Sequence, residues 1–405
     1  MKYLAYQAQA DLMQPVRLAA EATKLALESP FSGLFGELTL PYVKAGLEMV
    51  SRAALSHSRP DYQIKTVMVD GEIVPVTEEA TLVTPFCTLL RFAKKTASPQ
   101  SRVLVVAPLS GHFATLLRNT VVTLLPDHDV YITDWHNARE VPLDAGRFGF
   151  DEYVDHVILF LETLGEGSHL LAVCQPCAHA FAAVAAMAAT NNPAQPATMT
   201  LMAGPIDTRV NPTTVNELAT NNSIEWFERN LIAKVPHGFA GAGRRVYPGF
   251  VQLTAFMSMN PGRHFDTHVD LFGDLANGRL EKAAATKNFY DEYFAVLDLT
   301  AEFYLETVKL VFQEHALPKG KLSWHGEKID PRAIRKTALF TVEGERDDIC
   351  SVGQTVAAHD LCTNIKPYKK RHHLQPGVGH YGVFSGSKWA NQIYPIVQNF
   401  ILANN

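Results

Sequence analysis

Cysteine is scarce in this chain: five in 405 residues, at positions 87, 174, 177, 350 and 362, an odd number with one close pair. That excludes the disulfide framework of a small secreted domain and points to a reducing cytoplasm. It also leaves no second close pair for a zinc site, and neither a metal nor another cofactor is expected. Basic residues are not in excess: 36 Lys and Arg against 41 Asp and Glu give a net charge of −5, which argues against a nucleic-acid surface. No secretory leader is read, because Gln7, Gln9 and Asp11 interrupt any apolar start. No run is long enough to span a bilayer, since the most apolar stretch, near 180–189, falls short of the ~20 residues required. Internal repeats and low-complexity segments are absent as well. What is present is a chain 47% hydrophobic and 19% charged, enough for a large core.

Hydrophobic periodicity divides it into four parts. Residues 1–60 carry helical spacing in pieces, broken by Pro30, Pro41 and Pro60, and read as an N-terminal helical extension. From 61 to 207 the pattern alternates between strand and helix. Residues 62–92 alternate as strands, with Asp70-Gly71 as a two-residue hairpin turn. Buried-strand runs follow at 102–107, 129–134, 170–173 and 198–203, with helical patterns between them at about 113–125, 150–165 and 177–190. Such alternation predicts a mainly parallel sheet covered on both faces, an α/β fold. Residues 208–332 read as a helical, aromatic-rich insertion in the place of a lid. The βα pattern resumes over 333–405, with a strand at 337–342 and a closing helix at 388–402.

The chemistry concentrates where the apolar run 170–173 meets Cys174-Gln175-Pro176 and an alanine-rich helix. A strand that turns sharply into a helix leaves one side chain at the corner. In an α/β-hydrolase that side chain is the nucleophile, in a motif that usually reads G-x-S-x-G. Free amides and the helix dipole at such a corner favour a thiolate. Cys174-Gln-Pro-Cys177 also matches the C-x-x-C of a redox site, but such domains are small and carry the motif early, whereas about 170 residues precede it here. The hydrolase order then requires an acid and a histidine, each on a loop after a later strand. The loop after 337–342 offers Asp347 and Asp348, and both stay open on this ground alone. Among 16 histidines, His380 in Gly377-Val-Gly-His380-Tyr-Gly382 alone combines the order, the loop and the flanking glycines. His372 and His373 fall within a strand, and His179 lies on the wrong helical face to meet Cys174. For an oxyanion hole the Gln175 amide would supply one donor, and Leu109 or Ser110, in the loop after the strand 102–107, the second. Trp135, Trp226 and the aromatic residues of the insertion read equally as packing or as an apolar face for substrate. The run Lys369-Lys370-Arg371 reads as a solvated strand start.

Six stretches together, 106–117, 134–139, 172–176, 256–264, 344–349 and 377–386, resemble the intracellular polyhydroxybutyrate depolymerases. The likeness extends over nearly the whole chain. It implies an α/β-hydrolase fold with a lid, and a cysteine triad of Cys174, Asp347 and His380, the acid falling at the family's G-x-x-D. It implies hydrolysis of stored poly(3-hydroxybutyrate) through a thioester, and the polymer at a cytoplasmic granule surface as the partner. Related polyhydroxyalkanoate synthases also use a cysteine, usually in G-x-C-x-G; Ala172 and Pro176 replace both glycines here, which favours the depolymerase. Acyl transfer of the synthase kind, thiolysis with coenzyme A and non-catalytic granule binding are the competing functions. The sequence leaves homo-oligomerisation and the acyl acceptor open.

Overall fold

A computed structural model of the chain describes residues 2–28, 40–259 and 261–405. Pro30 and Asn260, which the sequence reading uses, lie outside them. The centre is an eight-stranded sheet. Its strands in chain order are β1 (Thr77–Val83), β2 (Cys87–Ala93), β3 (Ser101–Val106), β4 (His128–Trp135), β5 (His169–Val173), β6 (Thr198–Met202), β7 (Ala338–Gly344) and β8 (Lys370–Gln375). In space they run β1-β2-β4-β3-β5-β6-β7-β8. The β1–β2 and β2–β4 pairs are antiparallel and every pair from β4 to β8 is parallel. This is the strand order of an α/β-hydrolase. Every residue of β5, β6 and β7 is buried, as the unbroken apolar runs require of strands covered on both faces. The edges are marked by charge, Glu78 and Glu79 on β1 and Lys370-Arg371 on β8, which discourages pairing with another sheet.

Two helices cover the middle of the sheet. Phe150–Leu164 buries Phe150, Tyr153, Val154, Val157, Phe160 and Leu161 at i, i+3, i+4 spacing. Cys177–Ala189 buries twelve of its thirteen residues, and its small alanines let it lie close against strands and helices alike. Before the sheet, Thr66–Val69 and Glu72–Pro75 form the hairpin, with Asp70 (φ +50°) and Gly71 (φ +84°) both left-handed at its turn.

Between β6 and β7 the chain is not wholly helical. Alongside helices such as Gly249–Met259, Pro261–Ala276 and Leu280–Tyr293, it forms a three-stranded antiparallel ribbon of Ala233–Lys234, Arg245–Tyr247 and Leu299–Thr300. Strands of two or three residues are too short to imprint an alternating pattern, and Arg244 pins the ribbon by donating to the carbonyls of Val141, Pro142 and Gly146. The closing segment also departs from a single helix. A π-helical turn at Trp389–Ile393 precedes Tyr394–Leu402, because Pro395 has no N–H to continue the ladder behind it.

The order reverses at β3, which has β4 on one side and β5 on the other. In open α/β sheets a ligand crevice forms outside the carboxyl ends of the strands at such a point. The loops that leave β3, β5, β7 and β8 there carry residues 107–113, 174–176, 345–357 and 376–380.

Candidate active site

Cys174 stands between the end of β5 and the helix Cys177–Ala189, in the left-handed region at φ +65°. A non-glycine residue rarely sits there, and the cost is ~1–2 kcal/mol. The turn is held from both sides: the Cys174 amide donates to the Met202 carbonyl (2.8 Å), and the Cys177 amide donates to the Cys174 carbonyl (3.1 Å). Gly204 makes room, since a Cβ there would fall 2.1 Å from Cys177 Sγ and 2.8 Å from the Cys174 carbonyl oxygen. The Cys174 side chain is half-buried, neither sealed nor fully open. Cys177 is sealed, its Sγ facing the carbonyls of Ala172 (3.4 Å) and Met202 (3.8 Å), and burial pushes its thiol pKa well up. That is a packing cysteine, unlike the partner a redox pair needs.

His380 and Asp347 meet: His380 Nδ1 and Asp347 Oδ2 are 2.7 Å apart, both residues buried. The other carboxylate oxygen of Asp347 accepts from the Ile349 and Cys350 amides, both at 2.9 Å. Asp348, one residue on, is exposed and turned toward a cavity. Cys174 also acts electrostatically on the His380 ring, in the direction that favours its charged form. Burial opposes charge on the His380 ring, but the negative charge that Cys174 and Asp347 can offer outweighs it and holds the ring's pKa well above its ordinary value. The three side chains therefore converge although 206 residues of sequence separate the first from the last.

Three carboxylates outside the sequence reading arrange these loops. Glu343, fully buried at the end of β7, accepts from the Gly353, Thr355 and Val356 amides at 2.7–3.0 Å and so folds the loop that carries Asp347 back on itself. Thr355 in turn bonds Gly204 through both the amide and the carbonyl, each at 2.9 Å, which ties the loop that carries Asp347 to the corner at Cys174. Glu345 accepts from the Gly377 amide at 2.7 Å. Glu306 accepts from the Phe150 amide at 2.8 Å and pairs with Arg147, which fixes the start of the helix under the site. A glutamate inside the apolar run Leu339–Val342-Glu343 was the one available signal in the sequence.

The loop after β3 meets the corner in an unforeseen way. The Leu109 amide donates to the Gln175 side-chain oxygen at 3.3 Å. Gln175 Nε2 lies 3.3 Å from His179 Nδ1, and His179 Nε2 lies 3.3 Å from Thr307 Oγ1. His179 is sealed against Phe150, Tyr153 and Phe303, and burial lowers its pKa to about 3, so the ring is neutral. A polar chain thus runs from the β3 loop through Gln175 to the helix Ala301–Thr307. Ser110 is half-buried beside Leu109. Gly111, left-handed at φ +95°, is packed under Gln252, whose Cγ would lie 2.8 Å from a Cβ at 111. His112 is buried with Nε2 3.1 Å from the Tyr293 carbonyl. Trp135 is core: fully buried, stacked on Tyr153 at 4.3 Å, with its indole N–H on the Ala107 carbonyl (2.9 Å). His372 and His373 lie in β8, bonded to Thr341 and Gln375. Beside His380 a cavity of about 750 Å³ opens between the 377–382 loop and helices of the 208–332 segment, with Phe289, Tyr290 and Tyr293 in its wall. Among the described residues no group of three His, Cys, Asp or Glu is arranged to hold a metal, and no helix is long and apolar enough to cross a membrane.

Residues 203–405, half of the chain, match the family model described as PHB de-polymerase C-terminus. The chain belongs to that depolymerase family. The matched half carries Asp347 and His380, and the family places the chain among carboxylic ester hydrolases. Comparison with curated proteins gives no match. Among solved structures the chain is similar to an epoxide hydrolase of Bacillus megaterium (12% identity, 79% of this chain and 99% of that one, TM-score 0.47). It is also similar to a monoacylglycerol lipase of Paleococcus ferrophilus (14%, 76% and 97%, TM-score 0.42) and to a thermophilic esterase of Thermogutta terrifontis (14%, 80% and 98%, TM-score 0.41).

Proposed function

We propose that this depolymerase-family chain hydrolyses poly(3-hydroxybutyrate) through a triad of Cys174, His380 and Asp347. The observation that carries the reading is the 2.7 Å His380–Asp347 bond beside a half-buried thiol held at φ +65° on the strand-to-helix corner. His380 takes the thiol proton as Cys174 Sγ forms a bond to an ester carbonyl carbon. Asp347 fixes the Nδ1–H tautomer and supports the imidazolium. The tetrahedral oxyanion is held by the Gln175 amide and by Leu109 or Ser110, one such donor contributing ~3 kcal/mol. If Leu109 serves, its amide exchanges the Gln175 carboxamide oxygen for the oxyanion, a stronger acceptor because it is charged. The C–O bond then breaks, and His380 returns the proton to the departing alkoxide. Water, deprotonated by His380, cleaves the thioester and releases 3-hydroxybutyrate or a short oligomer. The 208–332 segment acts as the lid, and the partner is the polymer at the surface of a cytoplasmic storage granule.

The test is incubation of the pure protein with amorphous poly(3-hydroxybutyrate) granules, with and without coenzyme A. Soluble 3-hydroxybutyrate should appear without coenzyme A, and Cys174→Ala should release none while remaining folded by circular dichroism. Turnover that requires coenzyme A, or persists in Cys174→Ala, would overturn the reading.

A further inference from the structure

We propose that Arg346 forms a carboxylate subsite in the cavity beside His380, so that the ester bond best cleaved is the one at the carboxyl end of a polyester chain. This rests on the function proposed above. The group that protonates the leaving alkoxide must lie within hydrogen-bond reach of it. His380 has that role and lines the cavity, so the leaving alcohol sits there. At an internal bond of a 3-hydroxyacid polyester the leaving alcohol carries a further ester. At the bond nearest the carboxyl end it is the free 3-hydroxyacid, with a negative charge a few bonds from the leaving oxygen.

Arg346 lines this cavity, and its backbone is clamped to the base loop, the Arg346 amide donating to the Val378 carbonyl at 2.9 Å. Its side chain is exposed and pairs with no carboxylate among the described residues. Asp348 lines the same cavity but is already engaged by a partner. Arg346 thus brings to the cavity that His380 lines a guanidinium with no carboxylate partner among the described residues, in a protein whose net charge is −5. A guanidinium fork matches a carboxylate in two parallel bonds. The remaining wall is largely ring and glycine surface, from Phe289, Tyr381 and Gly377–Gly382, suited to the apolar stem of the same acid.

The experiment compares the linear dimer of 3-hydroxybutyrate with its methyl ester as substrates. The wild type should favour the free acid by roughly tenfold or more in kcat/KM, chiefly through KM, as a charged hydrogen-bonded pair provides. The preference should fall toward one in Arg346→Gln, recover in part in Arg346→Lys, and weaken with added salt. Independently of any variant, free 3-hydroxybutyrate should inhibit the wild type competitively and methyl 3-hydroxybutyrate should not. Equal cleavage of acid and ester by the wild type, a preference retained in Arg346→Gln, or equal inhibition by the two monomers would overturn the subsite while leaving the hydrolase reading intact. Cleavage of neither dimer by a protein that does release 3-hydroxybutyrate from granules would likewise overturn the subsite alone; release from neither granules nor dimers would overturn the hydrolase reading.

Discussion

Replacing Cys174 by glycine and by alanine separates the chemistry of the thiol from the geometry that presents it. Both variants lose the sulfur, so both should be inactive, and they differ only in the Cβ. At φ +65° an L-residue is disfavoured by ~1–2 kcal/mol. Glycine escapes that strain but brings more backbone entropy to the unfolded state, ~0.5–1 kcal/mol. It also leaves a half-buried methyl group unmade, a few tenths of a kcal/mol. The balance favours glycine by about 0.5 kcal/mol, whereas at an ordinary helix or strand position alanine would win by about 1 kcal/mol. Urea unfolding is the suitable assay, because 1 kcal/mol moves Tm by only about 1 °C in a chain of 405 residues. Cys174→Gly should be at least as stable as Cys174→Ala. A glycine variant less stable than the alanine variant by 1 kcal/mol or more would refute the claim that the backbone at Cys174 is strained.

Gly204→Ala places a Cβ 2.1 Å from Cys177 Sγ and 2.8 Å from the Cys174 carbonyl. Denaturant titration should show it destabilised by ~2–3 kcal/mol, and esterase activity should fall because the corner that carries Cys174 must shift. Asp347→Asn should lower kcat by about 10³-fold or more, read by steady-state kinetics, since the amide no longer fixes the ring's tautomer. The raised pKa of His380 has a signed consequence for stability. The charged ring's contribution is fully present below about pH 6.5, the unfolded value, and is lost as pH rises through the higher folded value. The stability advantage of wild type over His380→Gln should therefore be larger at pH 6 than at pH 10; the reverse trend in urea midpoints would contradict the assignment.

Much of the fold was legible because central parallel strands are unbroken apolar runs, as in Leu170–Val173, and the covering helix Phe150–Leu164 keeps its 3.6-residue period. The ribbon between β6 and β7 was hidden: Arg245–Tyr247 is too short to alternate, and what holds it is Arg244 reaching carbonyls 98–103 residues away. At the site, Cys174 and His380 could be picked out from local signals, a strand-helix corner and a glycine-flanked loop. Asp347 could be set above Asp348 only by resemblance. The difference between them is three-dimensional: the Asp347 side chain turns inward to the Ile349 and Cys350 amides and to His380, while that of Asp348 faces a cavity. The contact between the Gln175 carboxamide and the Leu109 amide joins loops 66 residues apart, and no periodicity records it. Glu343 alone left a trace, as a charge inside an apolar strand.

Acid quenching of the enzyme during turnover of a 3-hydroxybutyrate oligomer, followed by peptide mass spectrometry, tests the central claim most directly. A 3-hydroxybutyryl thioester is expected on the peptide bearing Cys174 and nowhere else, absent from Cys174→Ala. Turnover with no acyl adduct at Cys174, or an adduct on another residue such as Ser110, would contradict it.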